Sequence, residues 1–169
     1  MSINLNRVKN LIEKLAFISS VPNELTRLAF TEEDEKAHNM IIELCKEYDL
    51  SIRRDSIGNL FIRKAGKEDF LPAVAFGSHI DTVVNAGKFD GPLGSVAGLE
   101  ILLQLCEQNI QTRYPLELII FTCEESSRFN FATLGSKVMC GIVNQEKLSS
   151  LRDKQGKGLS EAMAEVGMN

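Results

Sequence analysis

Apolar residues at the start of the chain recur at intervals of three and four, the spacing typical of a helix with one buried face. We therefore expect a first helix over residues 5–18 and a second helix after Thr31. Thr31 is placed to cap the second helix, and Asp34 stands three residues later, in the acidic position of a capping box. The apolar positions that carry the pattern are Val8, Leu11, Ile12 and Leu15 in the first helix, and Ala37, Met40, Ile41, Leu44 and Cys45 in the second.

A hairpin is predicted next. Leu50–Asp55 and Leu60–Lys64 are strand-like, and Gly58-Asn59 between them is a turn signal. Both segments carry basic residues, which indicates a solvent-exposed or edge location for the hairpin.

The centre of the chain predicts a strand, a buried helix and a second strand. Ala73–Phe76 and Leu116–Phe121 are apolar runs, typical of interior strands covered on both faces. Pro92–Gln108 between them has only a narrow polar stripe, so it predicts a helix packed on the sheet. This order is that of a βαβ unit with parallel strands, and the fold class is α/β. Shorter helices are expected over 134–139 and 159–166.

Composition narrows the class of protein. The 169 residues are 44% hydrophobic and 25% charged, which is typical of a globular domain, and the net charge of −4 argues against a nucleic-acid or membrane-surface binder. No apolar run approaches the roughly 18 residues of a membrane span, and the first residues lack a signal-peptide core. The four cysteines form no CxxC pair, so we expect reduced thiols and a cytoplasmic protein.

Polar residues follow both apolar runs at the point where each predicted strand ends. His79 and Asp81 come after the first run, and Glu124 and Glu125 come after the second. Because open parallel sheets bind ligands outside the carboxyl ends of their strands, we expect these two clusters to lie where α/β folds place their active sites.

The residue types in these clusters favour metal chemistry, although each element has a plainer interpretation. His79 would serve as a metal ligand and Asp81 would orient its ring, but a single HxD also occurs by chance. Asp90, among glycines before the third helix, would bridge two cations or simply cap that helix. Glu124 and Glu125 would be a ligand and a general base, or a solvated pair in a loop. Together they suit zinc, manganese or related ions.

Other candidates are weaker. His38 lies beside the apolar stripe of the second helix, where a structural role is the more common one. No Gly-x-Ser-x-Gly elbow or Walker-type phosphate loop is present. Cys123 adjoins the two glutamates, whose negative charge hinders formation of a thiolate, so we expect no cysteine nucleophile.

Four stretches together identify a family resemblance. They are TRLAFTEED (26–34), DSIGNLFIRKAG (55–66), GSHIDTVVNAGKFDGPLG (77–94) and EESSRF with LGSK (124–137). With them the chain resembles the M20-type metallohydrolases, specifically the hydantoinase/carbamoylase branch of N-carbamoyl-L-amino-acid hydrolases, allantoate amidohydrolases and β-ureidopropionases. Arg128-Phe129 after the paired glutamates favours this branch over the peptidases of the group, whereas Ser126 stands where the branch usually has glycine.

The resemblance implies a three-layer mixed sheet flanked by helices, the fold of a zinc-peptidase-like catalytic domain. It implies that His79 binds one metal, with Asp81 orienting its ring, and that Asp90 bridges two metals. Glu125 would bind the second metal, and Glu124 would be the general base. The cofactors would be two divalent ions, zinc or manganese, with nickel and cobalt as alternatives. The substrate would be a small molecule with a carbamoyl (ureido) or amidine C–N bond.

The length of the chain sets a limit on this expectation, since members of the branch are more than twice as long. We expect residues 1–169 to be the N-terminal portion of a di-metal catalytic domain, truncated before the lid domain through which the family dimerises. Each metal is expected to take a further histidine from beyond Asn169, so the chain alone is expected to be inactive. A non-catalytic remnant and an M20-type peptidase are the alternatives.

Overall fold

The computed structural model describes residues 2–168, and its helices and strands alternate as an α/β fold. In chain order they are α1 (Leu5–Phe17), α2 (Glu32–Cys45), β1 (Ser51–Arg54), β2 (Leu60–Lys64), β3 (Val74–His79), α3 (Pro92–Glu107), β4 (Leu116–Phe121), α4 (Leu134–Met139), α5 (Gln145–Ser150) and α6 (Leu159–Glu165). The predicted elements are all present, and α1, α3 and α6 each end one residue earlier than predicted. Helix α5 was not predicted.

The four strands form one mixed sheet in the order β1-β2-β4-β3. Strands β1, β2 and β4 pair antiparallel, whereas β3 and β4 pair parallel, with His79 opposite Phe121. The predicted α/β class with a mixed sheet is confirmed. Because β3 and β4 run in the same direction, the residues that follow them emerge side by side at one edge of the sheet.

The predicted hairpin is formed by β1 and β2, but only β1 lies at an edge. Strand β2 lies between β1 and β4, and four of its five residues are buried. The edge prediction is therefore wrong for β2. Its basic side chains are compatible with this place because Arg63 reaches out to the carboxylate of Asp69, 2.9 Å from its Nη2.

Strand β3 also departs from its prediction as an interior strand. Within residues 2–168 it pairs with β4 alone, and Val74 is 52% exposed. Strand β4 has neighbours on both sides, as predicted. An apolar run indicates that a strand can be covered, but it does not identify the segment that covers it.

Buried residues of α1, α2 and α3 share the main hydrophobic core with residues of the sheet. Helix α3 packs on β3 and β4, and α1 packs against α3. Thr31 caps α2 as predicted, since its hydroxyl accepts a hydrogen bond from the backbone N of Asp34 at 3.3 Å. The Asp34 carboxylate accepts from the backbone N of Phe30 at 2.9 Å instead of from the cap residue. The polar stripe of α3 is turned toward α1, where Glu100 is fully buried and paired with Arg7 at 2.6 Å.

A second hydrophobic core joins the last helices to the loops around β4. Its buried members are Ala29, Phe30, Ile57, Cys123, Phe129, Leu134, Leu151, Leu159 and Ala162. Two of them, Cys123 and Phe129, bracket the paired glutamates in the sequence, so this core fixes the loop that carries them. No helix in the described part of the chain is long and apolar enough to cross a membrane.

Candidate metal centre

His79, the last residue of β3, presents one ring nitrogen to a group of carboxylates. Its Nδ1 lies 3.0 Å from the backbone oxygen of Asp81. A carbonyl oxygen only accepts hydrogen bonds, so Nδ1 carries the hydrogen and, in the neutral ring, Nε2 presents its lone pair. Nε2 lies 3.6 Å from Oε2 of Glu124 and 3.8 Å from Oδ1 of Asp90.

Asp81 connects the ends of the two parallel strands. Its Oδ1 accepts a hydrogen bond from the backbone N of Glu124 at 3.1 Å, and its Oδ2 accepts one from the backbone N of Glu125 at 3.0 Å. Oδ1 also lies 3.6 Å from Nδ1 of His79, farther than the backbone oxygen of Asp81. Asp81 therefore touches the histidine mainly through its backbone, while its buried carboxylate holds the two glutamates.

Glu124 and Glu125 complete a cluster that suits a cation. The chain turns immediately after β4 because Cys123 adopts a left-handed conformation, with φ of 48°. His79, Glu124 and Glu125 then each offer one ligand atom, and these atoms all lie within 4.8 Å of one another. Carboxylate oxygens that face each other and an imidazole lone pair repel unless a proton or a cation lies between them.

Asp90 lies at the exposed rim of this cluster, with 81% of its side chain accessible. The plainer interpretation, that Asp90 caps α3, is wrong: the cap residue is Gly91, and no side chain makes a capping hydrogen bond there. Gly91 has φ of 81°, and a Cβ on it would lie 2.5 Å from Cε1 of His79. The glycine therefore lets the loop approach the histidine ring.

The charges of the cluster perturb the protonation of its members. Burial works against protonation of His79, but its contact with Asp81 and the charges of Asp81 and Glu124 outweigh burial and raise the pKa of His79 to about 9. Burial raises the pKa of Glu125, an effect that the other carboxylates increase and His79 opposes. Burial, with the charge of Asp81, also raises the pKa of the Cys123 thiol well above its usual range, which disfavours a thiolate nucleophile.

Asn59, in the hairpin turn, supports the end of β4 and was not predicted as a site residue. It is fully buried, and its Oδ1 accepts from the backbone N of Thr122 at 3.0 Å. Its Nδ2 donates to Oδ2 of Asp55 at 2.7 Å and to the backbone oxygen of Gly135 at 3.1 Å. The available signal was its place in the stretch DSIGNLFIRKAG, since an asparagine in a turn is otherwise unremarkable.

Two further residues hold the backbone around the cluster. Ser95, in the first turn of α3, donates from Oγ to the backbone oxygen of His79 at 2.8 Å. Arg128 donates from Nη1 to the backbone oxygens of Ala29 and Phe30, at 2.6 and 2.5 Å. Neither residue type reveals such a role in the sequence, because all three bonds join segments that are far apart along the chain.

His38 lies outside the cluster. It is buried on α2, and its Nδ1 lies 2.9 Å from the backbone oxygen of Asp34. Burial, with the charge of Arg54, lowers the pKa of His38 to about 4. A neutral, buried histidine bonded within its own helix agrees with the structural role that we predicted.

Comparison with known proteins gives consistent matches. The family model described as Peptidase family M20/M25/M40 matches residues 75–163. An "Uncharacterized hydrolase" of Haemophilus influenzae is 99% identical over 169 residues, which are all of this chain and 41% of that protein. An N-carbamoyl-L-amino acid amidohydrolase of Geobacillus stearothermophilus is 40% identical over 145 residues, 86% of this chain and 35% of that protein.

The fold is also similar to that of a solved structure over nearly the whole chain. The hydantoinase/carbamoylase family amidase from Burkholderia ambifaria superposes with a TM-score of 0.92 at 33% identity, over 98% of this chain and 41% of that one. The present chain thus spans about two fifths of the length of the curated relatives that it matches.

Proposed function

Because this chain belongs to peptidase family M20/M25/M40, we propose that its cluster is part of a di-metal centre that hydrolyses a non-peptide C–N bond. The resemblance to the hydantoinase/carbamoylase branch, predicted from sequence, is confirmed by the relatives and by the fold. The observation that carries the proposal is the convergence of His79, Glu124 and Glu125 at the ends of two parallel strands.

The residues present fit divalent ions. Nε2 of His79 is left for a ligand because Nδ1 is engaged with the backbone of Asp81. Together with carboxylate oxygens it forms a donor set that zinc and manganese accept, with nickel and cobalt as alternatives. We assign His79 to one ion, Glu125 to the other, and the exposed Asp90 to a bridge between them.

The remaining ligands must come from outside these residues. The chain contains two histidines, and His38 is buried against its own helix. We therefore propose that a further segment supplies a histidine to each ion and that residues 1–169 are the N-terminal portion of the catalytic domain. A lid domain and a homodimer would belong to that further segment.

Two residues of this chain have separate roles in the proposed reaction: Glu124 transfers the proton, and Asp81 positions both glutamates. When bound, the ions would polarise the scissile carbonyl and increase the acidity of water. Glu124 lies next to Nε2 of His79 and is 34% exposed, so it can reach both the ligand side of the cluster and solvent. It would take the proton of the attacking water and deliver it to the leaving nitrogen, while Asp81 keeps the backbone of both glutamates in place.

The proposed substrate is a small N-carbamoyl-L-amino acid. This choice is supported by the printed activity of the Geobacillus stearothermophilus relative and by its 40% identity over most of the chain. Allantoate and dipeptides are the substrates that the alternative functions require. A non-catalytic binding module would hydrolyse none of them.

The test uses the 169-residue chain and, in parallel, the longer Haemophilus influenzae relative. Zinc and manganese binding is measured by titration calorimetry. Ammonia release is measured with N-carbamoyl-L-amino acids and allantoate, and release of free amino acids is measured with dipeptides. We expect Glu124→Gln to leave folding intact and to lower turnover in the longer protein about 10²- to 10⁴-fold. Glu146→Gln, exposed on α5, is the matched control.

Each outcome has a definite meaning. Turnover of carbamoyl amino acids that Glu124→Gln abolishes supports the proposal. Hydrolysis of dipeptides alone favours the peptidase function. The catalytic proposal is refuted if the longer protein binds metal but hydrolyses none of these substrates. It is also refuted if Glu124→Gln leaves turnover at the wild-type level.

A further inference from the structure

Arg27 is a buried cation beside the cluster that no step of the proposed reaction uses. Its side chain is fully buried. Burial lowers the pKa of Arg27, and the charges of Asp34 and Asp81 oppose that shift. A buried guanidinium is costly unless its donors are satisfied, so its contacts indicate what the fold gains from placing it there.

The side chain and the backbone of Arg27 together hold the chain on both sides of Asp81. Nε of Arg27 donates to the backbone oxygen of Ile80 at 2.9 Å. The backbone N of Arg27 donates to Oγ1 of Thr82 at 2.8 Å, and the backbone oxygen of Arg27 accepts from the N of Thr82, also at 2.8 Å. The guanidinium thus holds Ile80, before Asp81, and the backbone of Arg27 holds Thr82, after it.

The far end of the Arg27 side chain is anchored to α1. Nη1 donates to the backbone oxygens of Leu15 and Ile18, at 2.6 and 2.8 Å, at the end of that helix. Nη2 is buried and has no hydrogen-bond partner among residues 2–168. The guanidinium therefore connects a packed helix to the segment that follows β3.

Asp81, held in this way, contacts all three residues of the cluster. Its carboxylate accepts the backbone N–H groups of Glu124 and Glu125, and its backbone oxygen contacts Nδ1 of His79. A shift of Asp81 would displace groups on both strands at once. On the basis of the proposed function, we propose that Arg27 is a positioning residue of the metal centre, holding Asp81 where it orients the histidine and the two glutamates.

The competing explanation is that Arg27 only stabilises the core. Arg7 is a matched control for that explanation, because it pairs with the fully buried Glu100 between α1 and α3 and contacts none of the site residues. Loss of either arginine is expected to lower the melting temperature. Only loss of Arg27 is expected to disturb the cluster.

The first measurement needs no metal. Amide hydrogen exchange is followed by NMR in the metal-free chain for wild type, Arg27→Met, Arg27→Lys and Arg7→Met. We expect Arg27→Met to lower the protection of the Glu124 and Glu125 amides at least tenfold relative to the β4 amides. Arg27→Lys keeps the charge but not the planar fork of donors, so it is expected to fall between wild type and Arg27→Met.

The second measurement is zinc affinity, determined by competition with a chromophoric chelator. Residues that orient metal ligands typically contribute about 10- to 100-fold to metal affinity, and we expect a loss of that size for Arg27→Met and none for Arg7→Met. Failure of the longer Haemophilus influenzae relative to bind zinc would count against the proposed function alone, since the exchange measurement still tests Arg27.

Two results would overturn the positioning role. One is a folded Arg27→Met chain whose Glu124 and Glu125 amides keep wild-type protection. The other is failure of both Arg27 variants to fold, which would make Arg27 a requirement of the whole fold. Equal loss of protection in Arg7→Met would likewise attribute the effect to general destabilisation.

Discussion

Replacing Gly91 with alanine tests how closely the loop before α3 must approach His79. Gly91 has φ of 81° and ψ of −64°, values close to a γ-turn that residues with a Cβ rarely adopt. Strained backbone of this kind costs about 1–3 kcal/mol. We expect Gly91→Ala to lower the free energy of unfolding by about that amount, measured by urea denaturation.

The contact with the histidine ring adds a second effect. The new Cβ would lie 2.5 Å from Cε1 of His79, whereas ordinary contact begins at 3.4 Å, so ring and loop must separate by 3.4 − 2.5 = 0.9 Å. Metal sites tolerate only about 0.2 Å of variation in ligand distance. Disturbing the groups that orient a metal ligand typically costs about 10- to 100-fold in metal affinity, and we expect zinc affinity to fall by that order.

Gly87→Ala is the control in the same loop. A Cβ on Gly87 would meet nothing within 4 Å, and its φ lies outside the strained range. Zinc affinity is measured by chelator competition for wild type and both variants, in the chain and in the longer Haemophilus influenzae relative. Wild-type affinity in a folded Gly91→Ala variant would refute the reasoning, as would an equal loss in Gly87→Ala.

Two further predictions concern residues around the cluster. Gly135→Ala would place a Cβ 2.1 Å from Oδ1 of Asn59, and we expect it to lower stability by about 1–3 kcal/mol, measured by thermal denaturation. The control is Gly87→Ala, whose Cβ meets nothing within 4 Å and whose φ lies outside the strained range. Burial, with the charge of Asp81, raises the pKa of Asp34 from 3.8 to about 8, so the folded state holds a proton that the unfolded state releases, and stability should fall as pH rises across that interval. Asp34→Asn should flatten this pH dependence in urea titrations at pH 5, 7 and 9, and an unchanged slope would contradict the assignment.

The sequence predicted the elements of the fold because their patterns are local. Thr31 and the apolar stripe after it identify α2, and the apolar run of α3 identifies a buried helix. Coverage of the strands was less predictable, because it depends on partners distant in sequence. The exposed Val74 of β3 and the interior position of β2 are the two examples.

In the candidate site, too, local signals could be predicted from the sequence and contacts between distant segments could not. His79, Asp90, Glu124 and Glu125 were predicted by residue type and by their place after apolar runs, and their roles as ligands and base stay predictions. Asn59, Ser95 and Arg27 were not predicted, since their contribution is a hydrogen bond to the backbone of a segment 16 to 76 residues away. A single sequence does not display such bonds.

The parallel pairing of β3 with β4 has a consequence for the order in which the protein assembles. His79 and Phe121 are register partners across a separation of 121 − 79 = 42 residues, with α3 in between. Closing so long a connection is a slow, non-local event in folding, and the histidine and the glutamates meet only once it has occurred. Zinc therefore has no local nucleus to stabilise in the unfolded chain, and we expect the apoprotein to fold first, at a rate independent of metal, and to load its ions afterwards.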